Sequence, residues 1–84
     1  MKTILITGSS RGIGAAIARR CHKDYKVVIN YNKSKDEAFK LLYELRENNP
    51  FVIAVKADVS KESDVEMMFD VAEKNFGHVD ICLL

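Results

Sequence analysis

Two kinds of apolar run alternate along the chain. Lys2-Thr3-Ile4-Leu5-Ile6-Thr7 is β-branched and continuously apolar and stops at Gly8, the pattern of a strand covered on both faces in a parallel sheet. Ile13, Ala16 and Ile17 then step at helical spacing. Arg19, Arg20, His22 and Lys23 follow where cations complement a helix C-terminus, which predicts a helix of about ten residues. Lys26 to Tyr31 is a second strand pattern. Ser34, with Glu37 three positions on, reads as a capping box. The helix behind it presents Ala38, Leu41, Leu42 and Leu45, and Asn48-Asn49-Pro50 ends it, because proline lacks an amide donor and biases its predecessor out of the helical region. Phe51 to Val55 is a third strand. Ser60 is the expected N-cap of a third helix with the apolar face Val65, Met68, Phe69, Ala72 and Phe76. Gly77 is its expected left-handed stop, and Val79 to Leu84 reads as a fourth strand.

The order βαβαβαβ implies parallel strands joined by crossovers, hence one doubly wound α/β unit over residues 1–84. Eighty-four residues hold a single core. The longest apolar run, Ile81 to Leu84, is far short of the ~20 residues that cross a bilayer, so no membrane partner is expected. Cys21 and Cys82 lie far apart with no Cys/His cluster and no leader-like start, the pattern of reduced packing thiols in a cytoplasmic protein that binds no metal. His22 and His78 read as surface or loop residues.

Charge is unevenly placed. Residues 1–42 carry nine Lys/Arg against three Asp/Glu, a net +6, and residues 43–84 carry four against nine, a net −5. A basic front half suits a phosphate-bearing partner. No basic stripe interleaved with aromatic residues appears, so nucleic acid is not expected.

Thr7-Gly8-Ser9-Ser10-Arg11-Gly12-Ile13-Gly14 lies between the first strand and the first helix. Gly8 suits a tight turn, Gly12 a close backbone approach to a pyrophosphate, and Gly14 close packing of the helix, while amides at a helix start face an anion. No Gly-Lys-Ser/Thr follows Gly8, so this is not a P-loop. Asp58 at the end of strand three lacks the acidic pair after strand one that a phosphorylation receiver needs.

The turn resembles the TGxxxGxG signature of the short-chain dehydrogenase/reductase family. Asn30-Tyr31-Asn32-Lys33-Ser34, Asp58-Val59-Ser60 and Phe76-Gly77-His78-Val79-Asp80-Ile81 resemble later landmarks of the same family, most like its 3-oxoacyl-[acyl-carrier-protein] reductase branch. The resemblance implies the first half of a Rossmann fold with strand order 3-2-1-4, and a cofactor turn formed by Gly8, Ser9, Ser10, Arg11, Gly12, Ile13 and Gly14. It also implies that Asp58 reaches the adenine amino group and that Val59 adds backbone and apolar contact; a turn aspartate capping the next helix is the other reading of Asp58.

Charge points to the cofactor. An NAD site wants a carboxylate some 20 residues past the glycines to accept from the ribose, and Asn30, Tyr31 and Asn32 stand there instead. Arg11 and Lys33 suit a 2′-phosphate, so NADP(H) is expected over NAD(H). Tyr31 either stacks on adenine or ends the strand as a packing residue. The Tyr-x-x-x-Lys pair, serine and asparagine that reduce carbonyls in this family match nothing here except Tyr31 and Lys35, whose place at a strand exit makes the match a coincidence of letters. The chain therefore reads as a cofactor-binding part without its own catalytic residues. Two other readings stay open: an interaction module without enzymatic activity, and an enzyme completed by a second chain. Self-association is expected through residues 79–84, an apolar strand edge.

Overall fold

The computed structural model describes residues 1–83. Four strands, β1 (Lys2–Ile6), β2 (Tyr25–Tyr31), β3 (Val52–Lys56) and β4 (Ile81–Leu83), alternate with three helices, α1 (Gly12–Cys21), α2 (Lys35–Arg46) and α3 (Glu62–Phe76). All pairings are parallel, and the sheet runs β3-β2-β1-β4. The expected strand order is the observed one.

Because successive strand side chains point to opposite faces, the continuous apolar runs feed two cores. Ile4, Ile6, Val27, Ile29 and Val52 pack under α1 and α2 with Ala15, Ala18, Leu41 and Leu45. Leu5, Val28 and Val55 pack on the other face against Met68 and Ala72 of α3. The sheet is thus the middle of three layers. β1 sends the chain toward β2 on one side, and α3 returns it to β1's other side as β4. The C-terminal end of β1 is therefore the switch point at which open α/β sheets leave a crevice. The glycine turn sits there.

Several local expectations are corrected. Ser34 precedes α2 but makes no side-chain cap bond; its backbone is at φ −93°, ψ 58°, outside the extended region that presents a capping hydroxyl. The capping box is absent, and Asp36 and Glu37 face the helix dipole instead. Ser60 is not an N-cap: α3 starts after Lys61, and the Ser60 hydroxyl and amide both donate to Asp58 Oδ1, at 2.6 and 3.0 Å. Gly77 ends α3 at φ 80°, ψ −146°, a positive-φ region open to glycine rather than the left-handed helical one.

His22 lies in the turn after α1, the loop alternative, but is buried there: it caps α1, its amide donating to Ala18 O at 3.0 Å and its Nδ1 lying 2.6 Å from Arg19 O. Asn49 does more than end α2. Its Nδ2 donates to His22 O and Tyr25 O, at 2.6 and 2.8 Å, and its Oδ1 accepts from Phe51 N at 2.9 Å. β4 starts later than expected, at Ile81, and Asp80 before it acts as a clamp, its Oδ2 accepting from Thr3 N at 2.8 Å and its amide donating to Thr3 O at 3.0 Å. The last residue of the expected self-association segment, Leu84, lies outside the described residues. Cys21 is half-buried and Cys82 exposed, both free. Among the described residues no helix is long and apolar enough to cross a membrane.

Candidate functional site

Thr7 anchors the turn at the end of β1, its amide and hydroxyl both donating to Leu83 O of β4, at 3.0 and 3.2 Å. The backbone then reverses through Gly8 and Gly12, at φ +59° and +66°, a conformation that costs an L-residue roughly 1–2 kcal/mol. Gly14 is needed for a different reason. A Cβ there would lie 2.7 Å from Ser9 Cα and 2.8 Å from Gly8 O, so α1 rests directly on the turn's backbone.

The turn's first polar groups are held from behind. Gly8 N donates to Asn30 Oδ1 at 2.9 Å, Ser9 N donates to Asn30 O at 3.0 Å, and Ser9 Oγ donates to Ile6 O at 2.7 Å while accepting from Asn30 N at 3.0 Å. Ser9 and Asn30 are buried, at 0% and 2% exposure. The amides of Gly8 and Ser9 are thus already paired within the protein, as are the Ser9 hydroxyl and the Asn30 side chain. Among the described residues the amides of Ser10, Arg11, Gly12 and Ile13 have no such partner. These four, at the start of α1, have the donor chemistry an anion needs. Space for the anion exists, since a Cβ on Gly12 would touch nothing within 4 Å.

Arg11 is exposed and extended at the N-cap of α1, at φ −158°. It borders an open cavity of about 450 Å³ between α1 and α2, lined also by Ser10, Gly12, Arg19, Lys40 and Glu44. Arg19 Nε pairs with Glu44 Oε2 at 2.8 Å, and this bond holds the Glu44 carboxyl below its usual range. Neither Arg11 nor Lys40 has an ion-pair partner among the described residues.

Asn32 and Lys33 are exposed where the chain leaves β2. Asp58, after β3, accepts from the Ser60 hydroxyl and amide, which lower its carboxyl from the usual range, and the charges of Lys61 and Lys33 lower it further. Asp58 thus closes a turn, and its neighbour Val59 is 51% exposed. Ile13, at 82%, is a second exposed aliphatic residue at this end of the sheet. Tyr31 takes the packing alternative: its ring is buried and edge-to-face with Phe39 at 6.0 Å. Lys35 Nζ lies over Phe39 at 5.8 Å, so Tyr31 and Lys35 do not form a proton-transfer pair. Sequence reasoning missed the inward roles of Asn30 and Ser9. The available signal was an amide residue inside the apolar run Val27-Val28-Ile29-Asn30-Tyr31, because a buried polar group needs partners.

The sequence profile of the short chain dehydrogenase family matches residues 2–83. The chain belongs to this family. Among curated members, glucose 1-dehydrogenase 2 of Bacillus subtilis is 41% identical over 81 residues, and 3beta-hydroxysteroid dehydrogenase 1 of Eggerthella lenta is 43% identical over 81 residues. Each alignment covers 95% of this chain and 31% of the relative, so the chain spans about a third of the length of these family members. A putative dehydrogenase from Burkholderia cenocepacia with bound NADP superposes with a TM-score of 0.87 at 29% identity, over 96% of this chain and 32% of that one. A dehydrogenase/reductase from Sinorhizobium meliloti superposes at 0.88 and 30% identity, over the same shares. The short-chain dehydrogenase fold of these structures is the fold described above.

Proposed function

We propose that the chain binds the adenosine diphosphate portion of NADP(H) and serves as the cofactor-binding part of an oxidoreductase that reduces carbonyl groups, 3-oxoacyl thioesters among them. The observation that carries this reading is the run of four unpaired amides, Ser10 to Ile13, at the switch point beside an open approach at Gly12. These amides hold the diphosphate; Arg11 and Lys33, with Asn32 between them and the strand, hold the 2′-phosphate; Ile13, Asp58 and Val59 border the adenine. Preference for the phosphorylated cofactor is supported by the absence of a carboxylate from Asn30-Tyr31-Asn32, by the two cations, and by the NADP carried by the Burkholderia neighbour. Bound cofactor supplies the hydride; Tyr31 and Lys35 supply no proton. Calorimetry with NADPH, NADH and adenosine 2′-phosphate tests the reading. We expect binding in the order NADPH, adenosine 2′-phosphate, NADH, and no heat from NADPH would end it.

A second reading concerns association. Among the described residues β4 pairs with β1 alone, and a strand side left unpaired can take up another strand. Self-association through residues 79–84 follows, and a monomer across the concentration range in equilibrium sedimentation would refute it.

A further inference from the structure

Asn30 sits in an otherwise apolar strand at 2% exposure, with its polar atoms used on two sides. Toward the glycine turn, Oδ1 accepts from Gly8 N at 2.9 Å, and its backbone exchanges hydrogen bonds with Ser9, N to Oγ at 3.0 Å and O from N at 3.0 Å. Toward the end of β3, Nδ2 donates to Ala57 O at 3.1 Å and Val55 O at 3.4 Å. The requirement is chemically narrow, an acceptor facing the turn and a donor facing β3. A carboxylate would set an anionic oxygen against two carbonyls, and an apolar side chain would leave buried groups unpaired.

We propose that Asn30 is a positioning residue for the dinucleotide. It draws the Gly8 and Ser9 amides inward, which leaves the next four amides facing outward, and so sets diphosphate affinity without touching the ligand. This rests on the cofactor-binding reading above.

Asn30→Asp is the informative variant, because a protonated carboxyl restores both the acceptor and the donor whereas an ionised one does not. The charged residues on the segments packed around position 30 are Arg11 on the turn, Lys33 after β2, and Lys56 and Asp58 at the end of β3. All are exposed or half-exposed and are present equally in the wild type. NADP⁺ is titrated into the full chain by calorimetry from pH 8 to pH 5, each variant against wild type at the same pH, with exchange of the Gly8 amide followed by NMR. At pH 8 the variant is expected to bind about tenfold more weakly and to lose Gly8 protection, and both are expected to recover together on acidification. Ser9→Ala, which removes two hydrogen bonds and adds no volume, keeps the test available if Asn30→Asp does not fold; it should weaken binding with no pH recovery. Wild-type affinity in a folded variant whose Gly8 amide exchanges freely would overturn the proposal, as would weakened binding without recovery at low pH. Failure of the wild type itself to bind would overturn the cofactor reading, and this role with it.

Discussion

Replacing Gly14 with alanine sets two known effects against each other. Gly14 is in the first turn of α1, where alanine gains about 1 kcal/mol in helix propensity over glycine. The added Cβ would stand 2.7 Å from Ser9 Cα, 2.8 Å from Gly8 O and 3.2 Å from Gly8 C. Unstrained carbon contacts lie near ~3.5–4.0 Å, so α1 and the turn must separate by roughly 1 Å. The obstructing atoms are backbone, held in turn by Asn30 and Ile6, and no side-chain rotation relieves them. Overpacking of this kind costs about 1–3 kcal/mol, which exceeds or cancels the propensity gain and leaves a net loss of about 1 kcal/mol. For a chain of this size that lowers the melting temperature by roughly 4–8 °C. Far-UV circular dichroism melts measure it directly. NADPH affinity should fall further than stability does, since the separation moves the amides of Gly12 and Ile13. Gly12→Ala provides the contrast: it is strained by its positive φ alone, so Gly12→Asn should be milder, asparagine tolerating that backbone better, whereas Gly14→Asn should be worse than Gly14→Ala. A Gly14→Ala protein that melts above wild type would refute the close approach.

Three further outcomes follow from the structure. Arg11→Ala and Lys33→Ala should weaken NADPH and adenosine 2′-phosphate while sparing NADH, as titration calorimetry will read; equal losses for both dinucleotides would refute the charge assignment. Asn49→Ala leaves the carbonyls of His22 and Tyr25 and the amide of Phe51 without their partner, so it should cost about 1–3 kcal/mol in urea unfolding, with an unchanged midpoint as the contrary result. Asp58 has its carboxyl lowered by Ser60, so its contribution is present above the unfolded carboxylate range and lost as pH falls through the lowered value. The melting difference between wild type and Asp58→Ala should therefore be full above the ordinary carboxylate range and shrink as pH falls below it, and a gap that stays constant on acidification would contradict the assignment.

The fold was largely legible because its signals were redundant. The four apolar runs, the helical spacing of Ala38, Leu41, Leu42 and Leu45, and the glycine turn each point to the same alternation, while the strand order comes with the family resemblance. What misled was short-range polar chemistry. Ser34 and Ser60 have the residue types of caps, but capping depends on one backbone torsion and on which acceptor is nearer, and Asp58 claims Ser60. At the site, glycine spacing located the turn correctly but could not tell which amides face outward. That depends on Asn30, 22 residues from Gly8, and on β3 beyond it, a contact that no local pattern encodes. Tyr31 keeps two roles open in the sequence because a strand-end tyrosine looks the same whether its ring meets a ligand or Phe39.

The two bonds from Thr7 to Leu83 join the glycine turn to the far end of the described chain, across 76 positions. Seating of β4 and ordering of the turn are consequently coupled through these bonds. A contact that favours the seated β4 would raise a ligand's affinity for the turn by the same factor by which that ligand favours seating of β4.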